Sequence, residues 1–117
     1  MRINAEDPAR DFAPSPGRIE RFSPPLGPGV RVDTYVETGA EVSPFYDSLV
    51  AKVIVWDEDR PSAVARSLRA LRELDVQGIE TTRGLAIEVL RSEEFGSGRY
   101  STDFLERRIP QPARTEA

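Results

Sequence analysis

The chain has 117 residues, room for one domain and one modest core, because a chain of this size buries about two-thirds of its unfolded surface. Hydrophobic residues make up 38% and charged residues 31%, which excludes disorder throughout, and the 20 acidic and 16 basic side chains are mixed along the chain, which excludes the basic stripe that nucleic acid requires. Cysteine and histidine are absent, so disulfides, thiolate metal sites and serine–histidine or cysteine–histidine catalysis are excluded, and the commonest metal ligand is missing.

Met1-Arg2-Ile3-Asn4 has no apolar secretory segment and no stretch approaches the roughly 20 residues that cross a bilayer, so a cytoplasmic location without a membrane partner is expected. Met1 stands just ahead of residues that read as a strand interior, so the chain is expected to be a trimmed piece of a longer protein. Residues 8–28 hold six of the ten prolines, which predicts loops and edge strands, with a turn at Ser15-Pro16-Gly17 feeding a strand from Arg18 to Phe22. Val30 to Val36 alternates Val30, Val32, Thr34 and Val36 against Arg31, Asp33 and Tyr35, the period of a half-buried strand. Gly39 supplies a turn before Val42. Leu49 to Trp56 is a nearly continuous apolar run broken only by Lys52, which predicts a strand covered on both faces.

The period then changes. Val64, Leu68, Leu71 and Asp75 follow helical spacing, with Asp59 to cap and Pro61 in the first turn, so a helix is predicted over about 60–74. A second helix is predicted after a capping Thr81, with Leu85, Ala86, Val89 and Leu90 on one face and Gly96 and Gly98 as stops. Tyr100 to Arg107 adds a short third turn, and residues 108–117, with Pro110 and Pro112, read as a flexible tail. Strands first and helices after, without alternation or internal repeat, predict an α+β fold: an antiparallel sheet or small barrel-like set of strands packed with two to three helices.

Few residues carry chemistry on their own pattern. Arg2 could present its planar fork to an anion, although a lone arginine is more often a surface charge. Glu6 and Asp7 could ligate a metal or act as an acid–base pair, but before Pro8 such a pair more often caps a turn. Asp47 and Lys52 flank the apolar start of the central strand, and a structural ion pair is the better reading of them. Gly27-Pro28-Gly29 reads as a turn rather than a phosphate loop. Tyr35, Tyr46, Trp56 and the five phenylalanines have no base-stacking spacing and are expected in the core.

Several ordered motifs point further. Arg-Ile-Asn-Ala-Glu-Asp-Pro at Arg2 to Pro8, followed by Pro14-Ser15-Pro16-Gly17-Arg18-Ile19, resembles the opening of the carboxyl-terminal domain of biotin carboxylase. Gly27 to Asp33 resembles the next family block, and Tyr46-Asp47-Ser48-Leu49-Val50-Ala51-Lys52 the one after it. Arg60, Ala63, Arg66, Ala70-Leu71, Gly78-Ile79 and Thr81-Thr82 continue the resemblance, and Phe104-Leu105-Glu106 closes it.

The resemblance implies one domain over 1–107, from the biotin carboxylase part of an acetyl-CoA, propionyl-CoA, methylcrotonyl-CoA or pyruvate type of carboxylase. In such a ligase magnesium-bound ATP phosphorylates bicarbonate, and the carboxyphosphate formed carboxylates biotin on a carrier protein. It implies that Arg2 is catalytic, stabilising a developing oxyanion, that Asp47 orients Arg2, and that Arg31 lies at a homodimer interface. Pro28 falls where some members carry a bulkier aromatic residue, and Thr102 and Asp103 differ from the residues found beside adenine, so no nucleotide contact is carried over. The glycine-rich lid, the carboxylates for magnesium and the biotinylated lysine motif have no counterpart here, so no cofactor-binding or metal-ligating residue is assigned. The implied partners are the amino-terminal and ATP-grasp domains, the biotin carboxyl carrier protein, the carboxyltransferase and a second copy. The isolated chain is expected to be inactive. A free-standing binding or regulatory module of the same fold is the alternative, and an adaptor role for the surface around Arg31 is compatible with either.

Overall fold

The computed structural model describes residues 1–99, 101, 104 and 105. Among the described residues up to Ser97, nine short strands and three α-helices follow in the order β1 (Arg2–Asn4), β2 (Glu6–Asp7), β3 (Ala13–Pro14), β4 (Gly17–Arg18), β5 (Arg21–Ser23), β6 (Val30–Thr34), β7 (Glu41–Val42), β8 (Leu49–Val55), α1 (Arg60–Glu73), β9 (Asp75–Gln77), α2 (Arg83–Arg91) and α3 (Glu93–Ser97). The fold is α+β, as the order of periodicities predicts. All pairings are antiparallel, in one three-stranded sheet ordered β1-β8-β6 and three two-stranded ladders, β2-β3, β4-β7 and β5-β9.

The central strand is β8, and parity decides its burial. Ala51 and Val53 are buried while Lys52 and Ile54, which alternate with them, are exposed, so the strand is covered on one face beyond Val50 rather than on both. The covered face meets Ile3, Ile19, Leu71 and Leu74, all at most 1% exposed, in a single core. Helix α1 begins where Asp59 accepts a hydrogen bond from Ser62 N at 2.7 Å with Pro61 in the first turn, and it buries Ser67, Ala70 and Leu71. Asp7 accepts from Ala9 N at 2.9 Å and opens a 3-10 turn, the capping role expected before Pro8.

Several elements differ from expectation. The strand expected over Arg18–Phe22 is two strands: β4 pairs with β7 and β5 with β9, because Ile19 turns wholly into the core and its N–H goes to Ala40 O. Asp75 does not continue the helix; Leu74 leaves helical geometry and Asp75 opens β9 opposite Ser23. Gly78 follows at φ +102°, where a Cβ would strike Arg18 O and come within 2.9 Å of Glu20 N. The second helix starts with Thr82 rather than Thr81 as its N-cap residue, and Thr82 leaves it without a side-chain cap because its hydroxyl accepts from Asn4 N instead. That helix also ends earlier, at Arg91, where Ser92 caps α3 and Gly98 stops it at φ 74°. The aromatic residues are not uniformly core. Tyr35, Tyr46 and Trp56 are 67%, 82% and 68% exposed, because Tyr35 and Trp56 share the strand parity of Asp33 and Lys52. Phe104 and Leu105 of the expected third turn are helical; the rest of that turn apart from Ser101, and the tail, lie outside the described residues.

Candidate functional site

Arg2 stands on the open face of the three-stranded sheet. Ile3 beside it is wholly buried, so alternation forces the Arg2 side chain outward. Its register partner on β8 is Lys52, and Lys52 is in turn opposite Asp33 on β6. Arg2, Lys52 and Asp33 therefore form one row across the sheet, all three exposed. Asp33 is already engaged within its own strand, where Arg31 Nε and Nη2 donate to its two carboxylate oxygens at 3.1 and 2.9 Å. That pairing holds the Arg31 guanidinium above its ordinary value. Among the described residues no ion pair reaches Arg2 or Lys52.

Asp47 and Lys52 do not form the expected structural ion pair, and neither is buried. Asp47 Oδ1 instead accepts from Leu49 N at 3.0 Å, a turn closed by the side chain on its own backbone. Asp47 does not reach Arg2 directly either; a bulge after Ile3 brings Leu49 opposite Asn4, so carboxylate and guanidinium are linked only through that pair of residues. Arg31 lies on the same open face, opposite Ile54, with Trp56 two residues beyond Ile54, just past the end of β8.

The end of β1 opposite β8 is held by α2. Asn4 N donates to Thr82 Oγ1 and Thr82 N donates to Asn4 O, while Asn4 Oδ1 is buried without a partner among the described residues. Two features escaped the sequence: Lys52 as the residue opposite Arg2, and Thr82 as the anchor of β1. Both depend on pairings between segments about 50 and 78 residues apart, which no local periodicity encodes.

A recess of about 580 Å³ lies between β9 and the start of α2. Two of the three arginines that line it are engaged: Arg21 pairs with Asp75 at 2.9 Å, and Arg83 donates to the carbonyls of Leu71 and Arg72. A second recess of about 450 Å³ sits beside Tyr35, Tyr46 and Asp47. Among the described residues no three acidic, histidine or cysteine side chains stand together as a metal site, and no helix is long and apolar enough to cross a membrane.

Residues 1–107 match the family described as the biotin carboxylase C-terminal domain. The biotin carboxylase of a Nostoc species is 49% identical over 105 residues, covering 90% of this chain and 24% of that protein. The 2-oxoglutarate carboxylase small subunit of Hydrogenobacter thermophilus is 45% identical over 105 residues, covering 90% of this chain and 22% of its own length. A crystal structure of the biotin carboxylase domain dimer of the Hydrogenobacter enzyme, in complex with magnesium ADP, ADP and bicarbonate, superposes with a TM-score of 0.90 at 44% identity, covering 92% of this chain and 24% of that one. The chain thus spans about a quarter of the length of these relatives. With its matched motifs in order, its fold superposed and Arg2 on the sheet's open face, the chain belongs to the biotin carboxylase C-terminal domain family.

Proposed function

We propose that the chain is the carboxyl-terminal part of the biotin carboxylase component of a biotin-dependent carboxylase, and that Arg2 is its catalytic contribution to carboxylating carrier-bound biotin. The observation that carries this reading is a permanently charged side chain, free of any carboxylate among the described residues, on a strand held from both edges. Guanidinium keeps its proton at working pH and offers a rigid fork of donors. Facing the oxygen on which negative charge develops as biotin is carboxylated, such a fixed cation stabilises the transition state strongly once water is excluded. Here Arg2 is exposed, so the exclusion has to come from other domains, and the isolated chain is inactive on this reading.

The donor set of this chain does not fit a resident magnesium nucleotide, since no group of three acidic, histidine or cysteine side chains is gathered among the described residues. Nucleotide and metal are therefore assigned to the amino-terminal and ATP-grasp domains of a parent of the relatives' length. The biotin carrier and the carboxyltransferase act with that parent, in the cytoplasm, and the final acceptor is an acyl-CoA or a keto acid. The face bearing Arg31, Ile54 and Trp56 is assigned to contacts with those domains and with a second copy. Asp47 is assigned to orienting Arg2 through the Leu49 and Asn4 pair.

Replacing the matching segment of the Nostoc enzyme with residues 1–107 gives a complete test protein. Biotin-dependent ATP hydrolysis by the hybrid, lost about 100-fold or more with Arg2→Ala, is the expected result. A folded hybrid that stays inactive with Arg2 in place counts for a binding or regulatory module instead.

A further inference from the structure

We propose that Lys52 is a second cation of the Arg2 site, and that the two side chains together hold one small oxyanion of the bicarbonate class. The inference rests on the reading of Arg2 given above and adds a binding residue to it.

Backbone pairing places the two side chains side by side. Met1 N donates to Val53 O at 2.7 Å and Val53 N donates to Met1 O at 2.8 Å, so Met1 and Val53 exchange both ladder bonds. The next pair, Arg2 and Lys52, is then a non-hydrogen-bonded pair, in which Cα atoms lie about 4.5 Å apart and side chains on one face stand closest. Two like charges directly opposite destabilise an antiparallel ladder. Among the described residues no carboxylate forms an ion pair with either side chain: Asp33, the one carboxylate in the row, is held by Arg31 at both oxygens. The molecule as a whole carries an excess of acid, with a net charge of −4, yet among the described residues no ion pair reaches Arg2 or Lys52.

The residue type narrows the reading. Lys52 is the only lysine in the chain; the other 15 of its 16 basic residues are arginine. Lysine here is thus set apart from the chain's ordinary basic surface. A guanidinium fork and a compact, rotatable ammonium offer complementary donors: the fork takes two oxygens of a planar carboxylate-like anion and the ammonium takes an oxygen from the side. One bound monoanion lowers the local charge from two to one, which removes the repulsion the bare pair carries.

The sole lysine is also a selective reporter. With lysine isotopically labelled, the isolated chain is titrated with bicarbonate at constant ionic strength, chloride serving as the reference anion. The Lys52 side-chain signal is expected to shift saturably with bicarbonate and only weakly with chloride, and the response to disappear in Arg2→Ala. Because the bare pair is repulsive, Lys52→Met is expected to raise the melting temperature of the isolated chain by about 1–3 °C, opposite to the loss a structural lysine gives. In the hybrid with the Nostoc enzyme, Lys52→Met is expected to raise the KM for bicarbonate about tenfold and leave that for ATP within about twofold, while Arg91→Met on the exposed surface of α2 changes neither. A hybrid disabled by Arg2→Ala but indifferent to Lys52→Met overturns this inference and leaves the reading of Arg2 standing; indifference to Arg2→Ala overturns both. Equal responses to bicarbonate and chloride in the isolated chain overturn the shared site whatever the hybrid does.

Discussion

Asn4 and Thr82, 78 positions apart, hold one another by two hydrogen bonds: Asn4 N donates to Thr82 Oγ1 at 3.0 Å, and Thr82 N donates to Asn4 O at 3.1 Å. Strand β1 thereby gains on its outer edge what a three-residue strand lacks, and Arg2 is carried on a segment pinned from both sides. Thr82→Val leaves the Asn4 N–H without its acceptor in a partly buried place and is expected to cost about 1–2 kcal/mol of stability, with Thr82→Ser close to native. Urea denaturation of the three proteins decides it; equal midpoints for Val and native would show that the hydroxyl does not hold β1.

Asp59 gives the chain a stability that depends on acid. Hydrogen bonds from Ser62, its backbone first and its side chain second, hold the Asp59 carboxyl below the ordinary carboxylate range. A depressed folded-state value means that the contribution is complete above the unfolded value and is lost as pH falls through the folded one. The difference in melting temperature between native chain and Asp59→Ala is therefore expected to be widest near neutral pH and to narrow progressively below about pH 4. A difference that stays constant down to the acid limit would show that the carboxylate form is not what caps α1.

Leu71 and Trp56 are both large apolar residues on or beside the central elements, and they are expected to respond very unequally. Leu71 is wholly buried and Trp56 is 68% exposed. Leu71→Ala is expected to cost about 3 kcal/mol, a core deletion, and Trp56→Ser in the isolated chain less than about 0.5 kcal/mol. Thermal unfolding of both variants tests the pair; a large loss from Trp56→Ser would mean that the tryptophan packs inside the chain after all.

That contrast also marks how far the sequence could be read. Helix α1 was legible to within a residue because its signals are local: Asp59 and Pro61 at one end and apolar spacing at 64, 68 and 71. The pairing partners of β5 and β1 were not, since Phe22 meets Val76 and Arg2 meets Lys52 across more than 45 residues. Apolar type alone placed Trp56 and Tyr35 in the core, whereas strand parity sends them to the open face with Lys52 and Asp33. The proposed role of Arg2 rests on ordered motifs, not on composition, which marks a lone arginine as ordinary surface.

Asp47 offers the sharpest division between a structural and an electrostatic role. Its carboxylate accepts from Leu49 N at 3.0 Å, and Leu49 is the β8 residue opposite Asn4, two positions from Arg2. If Asp47 orients Arg2 by fixing the start of β8, the turn is what matters, and asparagine, which closes the same turn, should serve. Asp47→Asn in the hybrid is then expected to keep biotin-dependent ATP hydrolysis within about threefold of native, while Asp47→Ala loses about tenfold, still less than Arg2→Ala. Both variants are exposed-site changes and should leave the melting temperature of the isolated chain within a few degrees. Equal and large losses from Asn and Ala would instead assign the effect to the negative charge, acting on Arg2 once neighbouring domains close over the sheet and bring the two side chains into one dry site, where a charge of that sign is felt more strongly than in water.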